Sequence, residues 1–314
     1  MHPAYSVIIF TTASGAGFGL LGWLAFSILT VPPASSATYY LTAFALAFAL
    51  AVIGLLASTL HLGHPERAWR AFSQWRTSWL SREGVAAVAC LGLASLLALA
   101  AIFDLHPIVQ RLLALPTLIT ALGTVWCTGM IYESLPTIRA WNHRLTTEIY
   151  LVLAVASGAL LSTTLLALFG SRTEGGAWTT LVLLGFSALM KWLYWRGIDS
   201  AARTSTAESA TGLGKIGRVR PLEPPHTQAN FVMREMGYHV ARKHAVKLRR
   251  IALLLAFAVP ALLLIVLLLL TPGFALPLLI LAVLSMAIGL IVERWLFFAE
   301  AQHVVMLYYG AERA

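Results

Sequence analysis

The sequence predicts an all-α membrane protein, a single domain over residues 1–314 built as a polytopic bundle of eight transmembrane helices. Hydrophobic residues make up 59% of the chain and charged residues only 11%, whereas soluble domains carry about 25% charged residues. Eight stretches have the apolar length of a spanning helix, which is about 20 residues. No alternation typical of a β-barrel is visible, and lipid admits only helices or closed barrels. A helical bundle is therefore the expected fold.

The predicted spans follow one another with short connections, except before the seventh. They cover residues 5–30, 38–61, 83–103, 112–133, 147–170, 177–196, 250–270 and 275–298. The first is expected to be a retained span and not a signal peptide, because it has neither a basic leading region nor a small-residue cleavage motif. Its small and hydroxyl residues, Thr11 to Gly22, indicate close helix packing or a hydroxyl-lined pocket wall. The sequence leaves these two interpretations open.

The connection between the second and third spans, residues 61–83, is unlike the apolar sequence on either side. It holds two histidines, four arginines, two glutamates and three tryptophans. Ionisable groups at a membrane boundary are costly to place and often functional. His61 is predicted to close one span and Glu83 to open the next, so both are expected at similar depth on one side of the bilayer.

This pair suits the chemistry of a quinone, whose reduction or oxidation moves two electrons and two protons. Histidine can donate a hydrogen bond near neutral pH, and a carboxyl group at the boundary can carry a proton because desolvation disfavours its charged form. Further donors and an apolar wall would come from the same connection. The predicted quinone-binding residues are His61, His64, Arg67, Trp69, Trp79 and Glu83. The alternative is that these side chains only solvate helix ends.

Two other connections carry polar residues. Between the fourth and fifth spans, Trp141, Asn142 and His143 are expected either to lie beside the His61 region or to anchor the helices at the interface. The long connection, residues 197–250, is expected to begin with a flexible Ser/Thr/Gly/Pro-rich linker over 200–228 and to continue as a basic amphipathic helix over 229–250. That helix is expected to contact anionic lipid head groups, to dock an acidic soluble subunit, or to do both. The predicted docking residues are Arg234, Arg242, Lys243 and Lys247.

The basic residues also predict the orientation of the chain. Connections on the side of both termini hold seventeen lysines and arginines, and the opposite connections hold only Arg111 and Arg172. Because cytoplasmic connections are enriched in these residues, both termini and the 61–83 connection are expected in the cytoplasm.

Several kinds of redox and ligand site are not expected in this chain. Cys90 and Cys127 cannot hold an iron–sulfur cluster, which takes about four thiolates, and no zinc or phosphate-binding motif is present. A haem b between helices is not expected either, because histidines inside the bilayer are scarce. No metal site and no nucleic-acid partner are predicted. Electrons for a quinone would therefore come from, or go to, a redox centre in a partner protein.

Four blocks of the chain resemble the membrane anchor subunits of dimethyl sulfoxide reductase-type molybdoenzymes. They are HPAYSVIIFTTASGAG at 2–17, STLHLGHPERAWRA at 58–71, SWLSRE at 78–83 and NFVMREMGYHVARKHAVKLRRIA at 230–252. The resemblance implies a complex in which a molybdopterin catalytic subunit and an iron–sulfur subunit exchange electrons with quinone through this anchor. In that family a histidine ending the second span and a glutamate opening the third support quinol binding, and these match His61 and Glu83.

Within that family, the long basic connection resembles the anchor of the cytoplasm-facing sulfite dehydrogenase of proteobacteria more than it resembles the shorter anchors of the respiratory reductases. This resemblance implies oxidation of sulfite to sulfate by the partner and reduction of ubiquinone or menaquinone by this chain. Two alternatives stay open: a quinol-oxidising anchor of a dimethyl sulfoxide or related reductase, and a purely structural tether without a quinone site.

Overall fold

The computed structural model describes residues 3–31, 36–60, 62–200, 205–223, 226, 228, 230–236, 240–269 and 274–311. These residues form helices and their connections, with no β-strand among them. Eight of the helices in this part of the chain are long and apolar enough to cross a membrane. The predicted all-α bundle of eight spans is thereby confirmed.

The spanning helices are numbered α1 to α8 in chain order. They are α1 Tyr5–Thr30, α2 Ala37–Thr59, α3 Trp79–Ile102, α4 Pro107–Glu133, α5 Thr146–Leu168, α6 Glu174–Ser200, α7 Val240–Leu253 continued through a π-helical turn at Leu254–Ala258 and then Val259–Leu269, and α8 Ala275–Ala299. Several helices extend past the predicted apolar stretches because helical hydrogen bonding continues through interfacial residues. At the start of α4, for example, Pro107 occupies the first turn and the His106 side chain accepts a hydrogen bond from Ile108 N, a favourable arrangement for a helix N-terminus.

Shorter helices lie in the connections. A 3₁₀ helix, Pro65–Gln74, occupies the α2–α3 connection, and another, Val304–Leu307, follows α8. The segment expected as a linker contains the short helix Ala207–Thr211, capped by Thr206 and Ser209. The predicted basic helix over 229–250 contains Phe231–Met236 and the first part of α7, while residues 237–239 lie outside the described residues.

Helix α1 is the most buried of the eight spans and packs against α2, α4, α5 and α8. Glycines let it approach its neighbours at backbone distance. A Cβ added to Gly17 would lie 2.4 Å from the backbone nitrogen of Ala51 on α2, and one added to Gly19 would lie 1.9 Å from the carbonyl oxygen of Ala154 on α5. This is the close packing by small residues that membrane helices use, and it makes α1 the axis of the bundle.

Candidate functional site

A polar cleft lies between α1, α4, α5 and α8, near the membrane face that carries the N-terminal end of α1. Its free volume is about 30 Å³, room for a water molecule or a single ligand oxygen. Hydroxyl groups from three helices and one arginine line it among apolar residues. The lining residues are Thr11, Thr12, Ser14, Gly15, Ala16, Val125, Thr128, Tyr150, Leu153, Ala154, Ser157, Leu290 and Arg294. The hydroxyl residues of α1 therefore serve a pocket wall as well as helix packing.

An apolar cleft adjoins the polar cleft on the side facing lipid. The two share four lining residues, Thr12, Ala16, Ser157 and Leu290. The apolar cleft has a free volume of about 260 Å³ and is bounded by Ile9 and Ile291, each 46% exposed on the lipid-facing surface. Together the clefts form a lateral path from the bilayer to the hydroxyl-lined interior.

Glu83 lies next to the polar cleft, in the first turns of α3. Its side chain is only 4% exposed, and Thr128 Oγ1, which lines the cleft, donates a hydrogen bond to its Oε1 at 2.5 Å. Thr128 therefore stands between the Glu83 carboxyl and the cleft. A hydroxyl in this position can pass a proton, since it is both donor and acceptor.

The α2–α3 connection folds over the start of α3 beside Glu83. Ser81 donates to the carbonyl oxygen of Ala71, and Arg82 donates through Nη2 to the carbonyl oxygen of Arg76 at 2.7 Å. A Cβ on Gly84 would lie 3.2 Å from the ring of Phe72. These contacts hold the connection against the first turns of α3 at the residues that precede and follow Glu83.

The other predicted quinone-binding residues lie elsewhere, and His61 lies outside the described residues. His64 and Arg67 are exposed on the connection, where both approach Glu66 at 3.0 and 3.5 Å. Trp69 is exposed as well, and the half-buried Trp79 packs under the Arg82 guanidinium, 4.2 Å from its carbon. Among the described residues, none of these four lines the polar cleft, so their role in binding stays a prediction.

A charged cluster of Lys191 on α6 and Glu293 and Arg294 on α8 was missed by the sequence reasoning. The three side chains are 1%, 0% and 3% exposed. Both cations contact the Glu293 carboxylate, Lys191 through Nζ and Arg294 through Nε and Nη2, the last at 2.7 Å. Their signal in the sequence was opposite charges placed near the C-terminal ends of two largely apolar spans, since such groups pair inside membranes.

Tyr150 connects the charged cluster to the polar cleft. The guanidinium carbon of Arg294 lies 4.2 Å from the centre of the Tyr150 ring, and both residues line the cleft. The Tyr150 hydroxyl is buried and makes no hydrogen bond of normal geometry to the described residues. Buried polar groups are nearly always hydrogen-bonded, so this hydroxyl marks a place for a ligand or water.

The α4–α5 connection lies close to the site but not as expected. Trp141 is buried, donates to the carbonyl oxygen of Phe297 at 2.9 Å and stacks on that ring. It is a core residue and not an interfacial anchor, because α8 packs over it. Burial lowers the pKa of His143 and the charge of Arg144 adds to the shift, which disfavours a protonated His143 at neutral pH.

The predicted docking residues lie at the start of α7 and before it. Lys243 and Lys247 are exposed, as is Arg234, whereas Arg242 is half-buried. The three predicted docking residues on α7 and the neighbouring Arg250 form a basic surface, defined as Arg242, Lys243, Lys247 and Arg250. Arg249 on the same helix pairs with Asp199 at 2.6 Å and Glu300 at 3.0 Å, so α7 is fixed to α6 and to the end of α8.

Comparisons with known proteins match nearly the whole chain to one family of membrane anchor subunits. The family described as DMSO reductase anchor subunit (DmsC) matches residues 1–310. The chain is similar to the C subunit of the sulfite dehydrogenase of Allochromatium vinosum, at 36% identity over 98% of this chain and 99% of that protein. It is also similar to the C subunit of the anaerobic dimethyl sulfoxide reductase of Escherichia coli, at 31% identity over 44% of this chain and 48% of the relative. The corresponding protein of Haemophilus influenzae is 28% identical over 51% of this chain and 57% of its own length.

Proposed function

Because this chain belongs to the DmsC family of dimethyl sulfoxide reductase anchor subunits, we propose that it is the quinone-reactive anchor of an oxidoreductase in a bacterial inner membrane. Its partners are an iron–sulfur subunit and a molybdopterin catalytic subunit, as family membership implies. In the proposal the catalytic partner oxidises sulfite to sulfate, and this chain passes the electrons to ubiquinone or menaquinone. The choice of sulfite follows the relative with matching full length, which belongs to a sulfite dehydrogenase.

The observation that carries the quinone site is the Glu83–Thr128 pair at a cleft that adjoins a path to lipid. A lipid-borne redox ring needs an apolar entry for its tail, hydrogen-bond donors for its oxygens and a group that carries protons. The apolar cleft meets the first need. The Thr11, Thr12 and Ser14 hydroxyls, which donate to carbonyl oxygens of their own helix, meet the second by rotating towards a ring oxygen. Glu83 meets the third, because a buried carboxyl group is readily kept protonated.

The residues of this chain then have distinct tasks. The apolar cleft between α1, α5 and α8 holds the ring and the start of the tail, and the narrow polar cleft receives one ring oxygen and excludes bulk water from it. Thr128 transfers a proton between a ring oxygen and the Glu83 carboxyl, which exchanges protons with the cytoplasmic side beneath the α2–α3 connection. When bound, the quinone supplies the two-electron, two-proton chemistry, and the electrons arrive from the iron–sulfur partner.

The test is Glu83→Gln in the assembled complex. This variant keeps the size and the acceptor oxygen but removes the proton carrier, so quinone reduction is expected to fall about 10²-fold, the lower range for a lost acid–base group. Sulfite oxidation with a soluble electron acceptor should be unchanged. Glu133→Gln is the matched control, because the Glu133 carboxylate accepts from Thr147 N outside the polar cleft. Wild-type quinone turnover in Glu83→Gln would refute the assignment of proton transfer to Glu83.

A second assay separates the two substrate assignments. Complex purified through this chain is expected to reduce quinone with sulfite as the electron donor. The alternative, supported by the two dimethyl sulfoxide reductase relatives, is oxidation of quinol with dimethyl sulfoxide as acceptor. Activity only in the second direction would replace the sulfite assignment without affecting the quinone site.

A further inference from the structure

The desolvation free energy of the charged cluster is too large for its only role to be holding α6 and α8 together. Lys191, Glu293 and Arg294 are removed from water almost completely, and transferring ions out of water costs several kcal/mol per ion in real proteins. Well-packed apolar residues hold two helices together equally well or better. Two cations share one carboxylate, so the cluster carries a formal positive charge. A use for that charge has to be sought at the surface that the cluster faces.

Arg294 is the member that reaches the polar cleft. Glu293 engages the Nε and Nη2 positions, which fixes the plane of the guanidinium. A guanidinium has five donors, and the hydrogen bonds to Glu293 do not use Nη1. The buried Tyr150 hydroxyl, which makes no hydrogen bond of normal geometry to the described residues, lies on the same wall. A fixed cationic donor and a phenol without such a bond therefore point to a ligand oxygen.

We propose that Arg294 binds the quinone oxygen that gains negative charge during reduction, with the Tyr150 hydroxyl as a second donor. This rests on the quinone site proposed above and adds to it a binding residue on α8. Glu293 and Lys191 are positioning residues: Glu293 orients the guanidinium, and Lys191 prevents Glu293 from neutralising it. Preorganised donors of this kind stabilise charge that develops in a reaction.

The division of labour follows from the chemistry of the two sites. Reduction adds two electrons from the iron–sulfur partner and two protons from the cytoplasmic side, and both ring carbonyl groups become hydroxyl groups. A guanidinium is not deprotonated in proteins, so Arg294 stabilises charge and delivers no proton. Proton transfer stays with Glu83 and Thr128.

The experiment measures quinone reduction and ligand binding in membranes that contain the complete complex. Arg294→Gln is expected to lower kcat about 10²-fold, as for loss of one preorganised donor, with a smaller change in KM. Binding of a fluorescent hydroxyquinoline N-oxide, a quinol analogue with a negatively charged oxygen, should weaken at least about tenfold, or ~1.4 kcal/mol. Arg139→Gln is the matched control, since Arg139 donates to the Ile198 carbonyl oxygen outside the polar cleft. Wild-type kcat and analogue affinity in Arg294→Gln would overturn the proposal.

Two further variants cover the remaining outcomes. Arg294→Lys keeps the charge and the pair with Glu293, but one ammonium cannot hold both partners in the same geometry, so analogue binding should still weaken. If membranes with Arg294→Gln do not retain the soluble subunits, Arg294→Lys decides the question. Wild-type affinity of Arg294→Lys for the quinol analogue then refutes the proposal. Glu83→Gln is assayed in parallel. Loss of turnover there with normal Arg294 variants refutes only the role of Arg294, whereas normal turnover in both refutes the quinone site.

Discussion

At Thr128, one hydroxyl group lies between the buried carboxyl of Glu83 and the polar cleft. Thr128→Val removes that hydroxyl and keeps the branched shape, so Glu83 loses its donor and its link to the cleft. We expect quinone reduction to fall roughly tenfold, less than the ~10²-fold for a lost acid–base group because the Glu83 carboxyl remains, with activity towards a soluble acceptor unchanged.

Thr124→Val, one turn earlier on α4, is the control for Thr128→Val. Its hydroxyl is equally buried, donates to the Thr120 carbonyl oxygen and does not line the polar cleft. Equal turnover in the two variants would show that the Thr128 hydroxyl has no part in the reaction.

At the scale of single residues, the sequence identified a candidate site residue at a helix end but missed those that lie farther inside the spanning helices. Glu83 stood out because it begins an apolar run. Arg294 and Tyr150 did not, because averaging over a spanning helix hides a single polar group. The pairing of Lys191 with Glu293 also needs α6 to pack near α8, and hydropathy carries no information about which helices become neighbours.

Among the helices, α7 is the one whose first turns carry the basic surface, and these turns are fixed by Arg249 to α6 and α8. Lys243→Glu with Lys247→Glu is expected to release the iron–sulfur and catalytic subunits from washed membranes, because both side chains are exposed and opposite charges steer and hold such contacts. Sedimentation of the soluble subunits with membranes measures the effect.

A charge-matched control for this docking experiment comes from the same long connection. Lys215→Glu with Arg220→Glu changes the net charge equally at exposed positions outside the basic surface. Retention of the partners in the Lys243 and Lys247 variant would assign the basic surface to anionic lipid instead, where each charge contributes about 1 kcal/mol.

The helices themselves were predictable because each must fill the hydrocarbon core with apolar residues. Their ends were less so. α3 begins at Trp79 and not at residue 83, because Trp79 and Arg82 continue the helix into the interface. The 3₁₀ helix Pro65–Gln74 has no buried residues, and the sequence reasoning treated this segment only as a connection between two spans.

For the molecule as a whole, the orientation in the membrane decides which side supplies protons and partners. The excess of seventeen basic residues over two predicts that a reporter fused after residue 314 is cytoplasmic, whereas one inserted in the α1–α2 connection is periplasmic. Alkaline phosphatase, which is active only after export, distinguishes these positions. Phosphatase activity at the C-terminal fusion would invert the topology and move the charged cluster to the opposite face.

The arrangement of the eight helices around α1 followed only in part from the sequence. Small residues in α1 indicated close packing, and Gly17 and Gly19 do meet neighbouring backbones. Which neighbours these are, and that a polar cleft remains between four helices, depends on contacts between residues far apart in the chain. The hydroxyl groups of α1 were compatible with both interpretations, and the structure shows that they serve both.

The sideways mouth bounded by Ile9 and Ile291 has a consequence for supply. A binding site entered from within a leaflet is filled according to the mole fraction of its ligand in the membrane. The concentration of that ligand dissolved in water does not determine its occupancy. A higher content of the ligand in the bilayer, and not in the medium, would then raise the occupancy of the site. The turnover of this protein would therefore depend on how much of that lipid the cell synthesises.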